Sequence, residues 1–383
     1  MHAISSLPQR NFDPGLPSAQ FLEQWKYPAD VFSVLLILGG DVVVRALAQL
    51  VGSRVTPDLI PVSLLALGWV AYAVTAVVDA VGENKLMLVA DCSCKIINGS
   101  NGFVRDNYSW IIGRIDKSKA DAKKKTREPG ATPQQPPGRP LKAGLCVSIY
   151  RAKEARPGYS GYDRPYIVGF ITCIIQLGLA AIPYRIFGDR SILLITEAGI
   201  ALSFVSGALP QWSQEKWACR RDTRKTVVLT RGNGSQHAIM IIGDGKGLDL
   251  EDLAAADVSS FPSGKTTFAV ITLAALWILL LITVSRTQRN TWFLLAIGSV
   301  GILQNIYVAG ASRSPKAFGV PVEFVEVIGE TKVMPTLFRV EEHYPRLGKN
   351  MLGTFFPGDL REDEQVKWAE YETIAKTKGK GGF

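Results

Sequence analysis

Two neighbouring stretches decide the fold class: TTFAVITLAALWILLLITVS at Thr266–Ser285 and WFLLAIGSVGILQNIYVAGA at Trp292–Ala311. Neither contains a charged residue, and each has about the 20 residues that an α-helix needs to cross the hydrocarbon core of a bilayer. Six residues separate them, so we expect two helices that cross a membrane and return. This pair indicates an integral membrane protein.

Four earlier stretches have the same apolar character: Val31–Gly52, Leu59–Val81, Tyr166–Phe187 and Ser191–Leu209. Short polar segments join them in pairs, which predicts an all-α membrane bundle of about six transmembrane helices in three hairpins. We also predict a small α/β element in a long loop and a helical C-terminal tail. The predicted regions are a polar N-terminal segment (1–30), hairpin 1 (31–81), a polar loop (82–165), hairpin 2 (166–209), a β-hairpin plus helix module (210–265), hairpin 3 (266–311) and the tail (312–383).

Charged residues gather between the apolar stretches. The chain of 383 residues is 47% hydrophobic and 20% charged, with a formal net charge of +9. A basic balance in a membrane protein indicates loops that face an anionic membrane surface, so we expect the lipid bilayer as a partner and no nucleic acid. The cysteines number five, and an odd number excludes a fully paired disulfide framework.

Residues 117–142, KSKADAKKKTREPGATPQQPPGRPLK, form a low-complexity linker within the first long loop. Its lysine, proline and glutamine content leaves almost nothing to bury, so we predict that the linker is disordered. Within it, Lys123, Lys124 and Lys125 are the predicted contact for an anionic lipid.

The second long loop has the pattern of a small folded module. TVVLT at Thr226–Thr230 and HAIMIIG at His237–Gly243 are β-rich runs, and Arg231–Gln236 between them contains Asn-Gly. This order predicts a β-hairpin, and the acidic run Leu248–Val258 predicts a short helix after it. The tail is expected to carry two helices, one spaced on Val333, Leu337, Val340 and Tyr344 and one at Glu362–Lys378.

Lysine and arginine are unequally divided between the two sides of the predicted bundle. Of 43 in the chain, 37 lie in the N-terminal segment, the two long loops and the tail, and five lie in the short loops opposite. The positive-inside rule therefore predicts that the large loops and both termini are cytosolic. The membrane itself is expected to be the plasma membrane or an endomembrane. The glycosylation sequons at Asn98, Asn107 and Asn233 favour the reverse, lumenal placement.

Six polar side chains within the apolar stretches form the candidate site: Asp41, Arg45, Gln176, Glu197, Gln304 and Asn305. Charged groups in a bilayer are costly unless they pair, and Asp41 and Arg45 are four residues apart on one helix face. One interpretation is a buried polar network that fixes the helix register, and the other is a substrate or proton path. The sequence has no HExxH or GxSxG motif, and we assign no catalytic, cofactor-binding or metal-binding residue.

Several polar segments together resemble a group of multi-pass membrane proteins of filamentous fungi with no known activity. These segments are QWSQEKWACRR (Gln211–Arg221), LTRGNGSQHAIMIIG (Leu229–Gly243), FGVPVEFVEVIG (Phe318–Gly329) and TFFPGDLR (Thr354–Arg361). The resemblance implies a multi-pass architecture and supplies no catalytic residue.

We therefore expect a non-catalytic membrane anchor or interaction protein, with cytosolic modules that engage other proteins or lipid. A transporter or channel that uses Asp41, Arg45 and Glu197 is the alternative, and a membrane enzyme is the third interpretation. A water-accessible cavity at Asp41 and Glu197 would favour the transporter, whereas a cluster of titratable groups near Gly243–Gly247 would favour the enzyme.

Overall fold

The computed structural model of the protein describes residues 40–51, 69–82, 85–116, 144–159, 161–255, 264–287 and 289–378. The helices are α1 (Gly40–Leu50), α2 (Trp69–Gly82), α3 (Arg164–Phe187), α4 (Ser191–Gly207), α5 (Pro210–Lys216), α6 (Leu250–Ala255), α7 (Gly264–Arg286), α8 (Thr291–Gly310), α9 (Val333–His343), α10 (Leu347–Phe355) and α11 (Glu362–Lys378). The strands are β1 (Lys95–Asn98), β2 (Val104–Asp106), β3 (Leu145–Ala152), β4 (Arg221–Thr223), β5 (Val227–Thr230), β6 (His237–Ile242), β7 (Gly247–Leu248) and β8 (Val322–Glu330). Residues 110–116 are also helical, and Pro315–Phe318 form a 3-10 turn.

The apolar helices pack side by side as a ring. Each of α1, α2, α7, α4, α3 and α8 contacts the next in that order, and α8 returns to α1. Trp69 of α2 stacks on Trp277 of α7 with ring centroids 5.0 Å apart, within an apolar core to which α1 also contributes. The outer surface of α3 exposes Ile167, Ile171, Ile174 and Ile175. An exposed apolar face on such a helix is suited to contact with lipid.

The predicted all-α bundle of six spans is wrong. Within the described residues, three helices, α3, α7 and α8, are long and apolar enough to cross a membrane. The 17-residue α4 continues into α5 after a bend of 41°, and this pair adds a fourth span only if it counts as one. Of the first two predicted spans, α1 has 11 residues and α2 has 14 within the part of the chain that the structure describes.

The first predicted hairpin also differs in direction. The beginning of α1 packs on the beginning of α2, because an ideal Cβ on Gly40 would lie 3.1 Å from the Cβ of Ala71. The last turn of α1 and Leu86, which follows α2, both contact the end of α5. The two helices therefore run in the same direction, not out and back as the short segment between them predicts.

A large β-sheet is the second correction to the predicted all-α fold. Six strands pair in the order β2-β1-β5-β6-β3-β8, with β3 parallel to β6 and the remaining pairs antiparallel. These strands come from the chain before α3, between α5 and α7, and after α8. Because they share one sheet, these three segments lie on the same side of the helix ring, where they build one α/β domain.

The sheet is the middle layer of this domain, and alternating side chains feed two cores. On one face Ile96 and Leu229 pack with Trp110 and α6. On the other face Val147 packs with α9 and α10. The period of two in strands produces this division, since successive residues point to opposite faces.

Several local elements lie where their sequence signals occur. β5 and β6 pair antiparallel around a turn at Arg231–Gln236, α6 lies in the acidic run, and α11 covers Glu362–Lys378. The tail also contributes β8 to the sheet. The linker at 117–142, with the predicted lipid contact at Lys123, Lys124 and Lys125, lies outside the described residues.

Candidate functional site

The structure divides the predicted intramembrane site into two groups. The charged side chains of Asp41, Arg45 and Glu197 are exposed on the outside of the helix ring. No ion pair joins Asp41 to Arg45. The three amides, listed here, are buried instead: Gln176, Gln304 and Asn305. The charges and the amides therefore do not meet in one site.

Two of the buried amides have different surroundings. The side chain of Gln176 on α3 donates to the carbonyl oxygen of Ile297 on α8 at 3.0 Å, which ties these helices together. Asn305 is 1% exposed, and neither its amide nitrogen nor its amide oxygen has a hydrogen-bond partner among the described residues. A buried amide without partners is unusual, because it has lost its contacts with water.

A group of buried polar side chains lies where the helix ring meets the α/β domain. Nζ of the buried Lys216, at the end of α5, donates to the carbonyl oxygens of Ala48 at 2.9 Å, Val51 at 2.8 Å and Gln49 at 3.4 Å. The oxygens of Ala48 and Gln49 belong to the last turn of α1, whose backbone acceptors have no partner within the helix, and Val51 follows that turn directly. The ammonium group therefore caps α1 and complements the negative end of its dipole.

Two arginines make similar contacts at this junction. Arg313, which follows α8, donates to the carbonyl oxygen of Gln49 and forms a bidentate ion pair with Asp163 at 2.6 and 2.9 Å. Arg114 donates to the carbonyl oxygen of Ala309 at 3.2 Å and pairs with Asp91 at 3.2 Å. Both guanidinium groups are buried, so the ends of α1 and α8 are joined to the domain by charge-assisted hydrogen bonds.

Glu215 is the acid next to Lys216, and its oxygens are also fully engaged. They accept the backbone N–H groups of Leu86 at 2.9 Å and Met87 at 2.6 Å, and the side-chain amide of Gln211 at 2.5 Å. A cavity of about 120 Å³ adjoins Glu215 and Lys216. An acid and a base beside a cavity are typical of catalysis, but hydrogen bonds already occupy this pair, which favours a structural role.

A larger cavity, of about 1090 Å³, opens at the same junction and is called the junction groove here. Its walls are the end of β3 with the following residues 153–159, the turn 243–247 and residues 314–323. Backbone hydrogen bonds join these walls: Ala155 N–H to Lys246 at 2.8 Å, Lys153 N–H to Pro321 at 3.0 Å and Arg156 N–H to Gly319 at 3.0 Å. The groove is therefore a preformed part of the fold.

Glycine is required at one point of the groove wall. Gly319 has φ of 76°, and a Cβ there would lie 2.5 Å from the carbonyl oxygen of Arg156. Only glycine combines this left-handed backbone with such a close approach. The turn at Gly319 thus holds the chain after α8 against the chain that leads into α3.

The groove lies next to the predicted membrane surface. Tyr159 lines it and begins a ladder of aromatic rings that continues through Tyr162 and Tyr166 to Phe170 inside α3, with successive centroids 5.9, 5.2 and 5.2 Å apart. Tyrosine is enriched where a span meets water. The ladder therefore runs from the apolar span to the mouth of the groove.

No protein-family model, curated protein sequence or solved structure matches this chain.

The cysteines provide no metal site in the described part of the chain. No group of three or more histidine, cysteine, aspartate or glutamate side chains there is arranged to hold a metal ion. Burial raises the pKa of the Cys94 thiol to about 12, so this thiol is protonated at neutral pH. The pair Cys92 and Cys94 thus lacks, among the described residues, the further ligands that a zinc site needs.

Sequence reasoning did not identify Lys216, Arg313 or the junction groove. One signal was available, since Lys216 and Arg313 both closely follow apolar stretches, where a cation can cap a helix end. The groove had no such signal, because its walls are far apart in the chain and meet only in the folded domain.

Proposed function

We propose that this protein is a non-catalytic, membrane-anchored binding protein. Titratable groups do cluster in the junction groove beside Gly243–Gly247, but its charged side chains are all exposed, whereas catalytic groups are commonly desolvated. The helices anchor the protein in the bilayer, and its α/β domain presents the junction groove to a ligand at the membrane surface. The observation that carries this proposal is the junction itself: Lys216 and Arg313 join the end of α1 to the domain beside the groove. A binding surface held at a fixed position relative to the bilayer is what such an anchor provides.

We place the domain on the cytosolic side. The excess of lysine and arginine on its side of the ring supports this choice. Two of the three sequons are poor evidence for a lumenal domain, because their asparagine side chains are already engaged. The side-chain nitrogen of Asn98 donates to Glu251 at 2.7 Å, and that of Asn107 donates to the carbonyl oxygen of Ser109 at 2.9 Å. A glycan on either nitrogen would prevent these buried contacts. Asn233 alone among the three is exposed.

Trypsin added to sealed microsomes tests the sidedness. The linker at 117–142 is rich in lysine and arginine, so trypsin should cleave it without detergent if the domain is cytosolic. A lumenal marker protein that stays intact is the control for sealed vesicles. Cleavage that occurs only after detergent is added would place the domain in the lumen and overturn this assignment.

Transport remains the alternative function, and Asn305 is the observation that favours it. A buried amide without a described partner is able to hydrogen-bond to a polar solute that enters the ring. Asn305→Leu should abolish solute flux into proteoliposomes if the ring is a transport path. The support from Asn305 would be lost if wild-type proteoliposomes show no flux of small polar solutes. It would also be lost if Asn305→Leu leaves the flux unchanged.

A further inference from the structure

From the charges of the junction groove, we infer that its ligand is a zwitterionic phospholipid headgroup, which carries a phosphate and an ammonium. This inference rests on the proposed binding function and names the ligand class. The cavity of about 1090 Å³ lies just above the range of about 300–1,000 Å³ for small-molecule sites. It has room for a whole headgroup.

The groove has cations that are available to a phosphate. Arg151, Arg156, Lys246 and Lys316 line it, all four are exposed, and none forms an ion pair with another described residue. Cations that converge on a cavity without internal partners are ready to bind an anion, and arginine recognises phosphate oxygens in a bidentate manner.

The groove also has carboxylates that a purely anionic ligand would not need. Glu154, Asp222 and Asp244 line the same cavity, are exposed, and form no ion pair within the described chain. Glu323 is different, because Lys153 neutralises it at 3.3 Å. Charges of both signs therefore remain for a ligand that carries both signs, and a headgroup with phosphate and ammonium is such a ligand.

The position of the groove selects a membrane lipid as the source of this headgroup. The chain enters α3 at Arg164, five residues after the lining residue Tyr159. The lining residue Lys316 follows the end of α8 at Gly310 by six residues. Both short separations along the chain keep the groove within reach of lipid headgroups, and the aromatic ladder that starts at Tyr159 contains the tyrosines that favour the headgroup level.

Native mass spectrometry of the purified full chain in detergent tests the inference. The probes are phosphatidylethanolamine, phosphatidylglycerol, which lacks the ammonium, and water-soluble glycerophosphoethanolamine. Wild type should bind phosphatidylethanolamine more tightly than phosphatidylglycerol, and glycerophosphoethanolamine should compete. The double variant Arg156→Ala with Lys246→Ala should bind phosphatidylethanolamine about tenfold more weakly, a change that corresponds to about 1.4 kcal/mol.

Two further variants separate headgroup recognition from general charge. Asp244→Asn should weaken binding of phosphatidylethanolamine and leave phosphatidylglycerol unchanged. The control, Lys95→Ala with Lys332→Ala, removes the same charge from exposed positions outside the groove and should bind like wild type.

Three results would each overturn the inference: equal binding of the two lipids, an equal loss in the control variant, or no competition by the soluble headgroup. The trypsin experiment on microsomes is independent of these results. The failure of the ligand assignment and the failure of the cytosolic anchor are therefore distinguishable.

Discussion

Replacing Lys216 by methionine should weaken the attachment of the domain to the helix ring. Methionine keeps most of the length of the lysine side chain, whose Nζ lies 5.3 Å from the ring centroid of Trp217 and 6.0 Å from that of Trp110. The substitution removes the hydrogen-bond donor to the carbonyl oxygens of Ala48 and Val51. The carbonyl oxygen of Gln49 still accepts a hydrogen bond from Arg313. Two hydrogen bonds from a charged donor contribute about 1.5–3 kcal/mol each. We expect a loss near the lower limit, about 3 kcal/mol, because methionine avoids the burial of a charge.

Thermal unfolding of the full chain in detergent, followed by tryptophan fluorescence, measures this effect. At roughly 2–4 °C per kcal/mol, Lys216→Met should lower Tm by roughly 6–12 °C. Lys332→Met is the matched control, because Lys332 is exposed and forms no ion pair with a described residue. A Tm of Lys216→Met equal to or above that of wild type would refute the reasoning that this ammonium holds the end of α1.

Two further predictions concern the α/β domain. Cys94, whose pKa burial raises to about 12, should resist iodoacetamide at pH 8 in the native protein and react after unfolding, as peptide mass spectrometry can measure. Rapid native labelling would show that this thiol is not buried. Glycosidase treatment of the protein expressed in eukaryotic cells should leave its gel mobility unchanged. A shift that Asn233→Gln abolishes would mean that the domain is lumenal.

The elements that the sequence predicts well depend on neighbouring residues. The hairpin around Arg231–Gln236 follows from a turn signal between two β-rich runs, and α11 follows from a continuous helical pattern. The spans α3, α7 and α8 follow from long uncharged stretches. Each of these signals lies within about 25 residues of chain, so no distant partner is needed to recognise it.

The sheet could not be predicted in this way, because its pairings are distant in the chain. β3 pairs with β6 and β8, and the helices α3 and α4 separate it from both partners. A short apolar run such as LCVSIYRA is compatible with a strand or a buried helix until its neighbours are known. The all-α prediction failed for this reason.

Of the predicted site residues, the three amides are buried and the three charged residues are exposed. Periodicity explains the difference, because it decides which residues of a helix face inward. In α1 the buried face contains Val43, Val44 and Leu47, which leaves Asp41 and Arg45 on the other side. The apolar stretch alone indicates that a charge is costly there, but it does not indicate which face packs on the ring. The buried cations lie instead at the helix ends, where free backbone carbonyls accept them.

One disulfide measurement tests most directly whether the chain before α3 and the chain after α8 meet in one sheet. Gly329 of β8 lies opposite Cys146 of β3, and a Cβ on Gly329 would be 3.7 Å from the Cβ of Cys146. This separation is close to the mean of about 3.8 Å in disulfides. Gly329→Cys should therefore form a disulfide with Cys146 when membranes are oxidised with copper phenanthroline, and peptide mass spectrometry should detect it.

Val325→Cys is the control, because Val325 lies at the irregularity of β8 and has no partner on β3. It should give no disulfide with Cys146. The linked peptides of Gly329→Cys would establish that the chain before α3 and the chain after α8 are neighbouring strands on one side of the membrane. Free thiols at both positions after oxidation, or equal linkage in the control, would contradict the single α/β domain on which the junction, the groove and the proposed function depend.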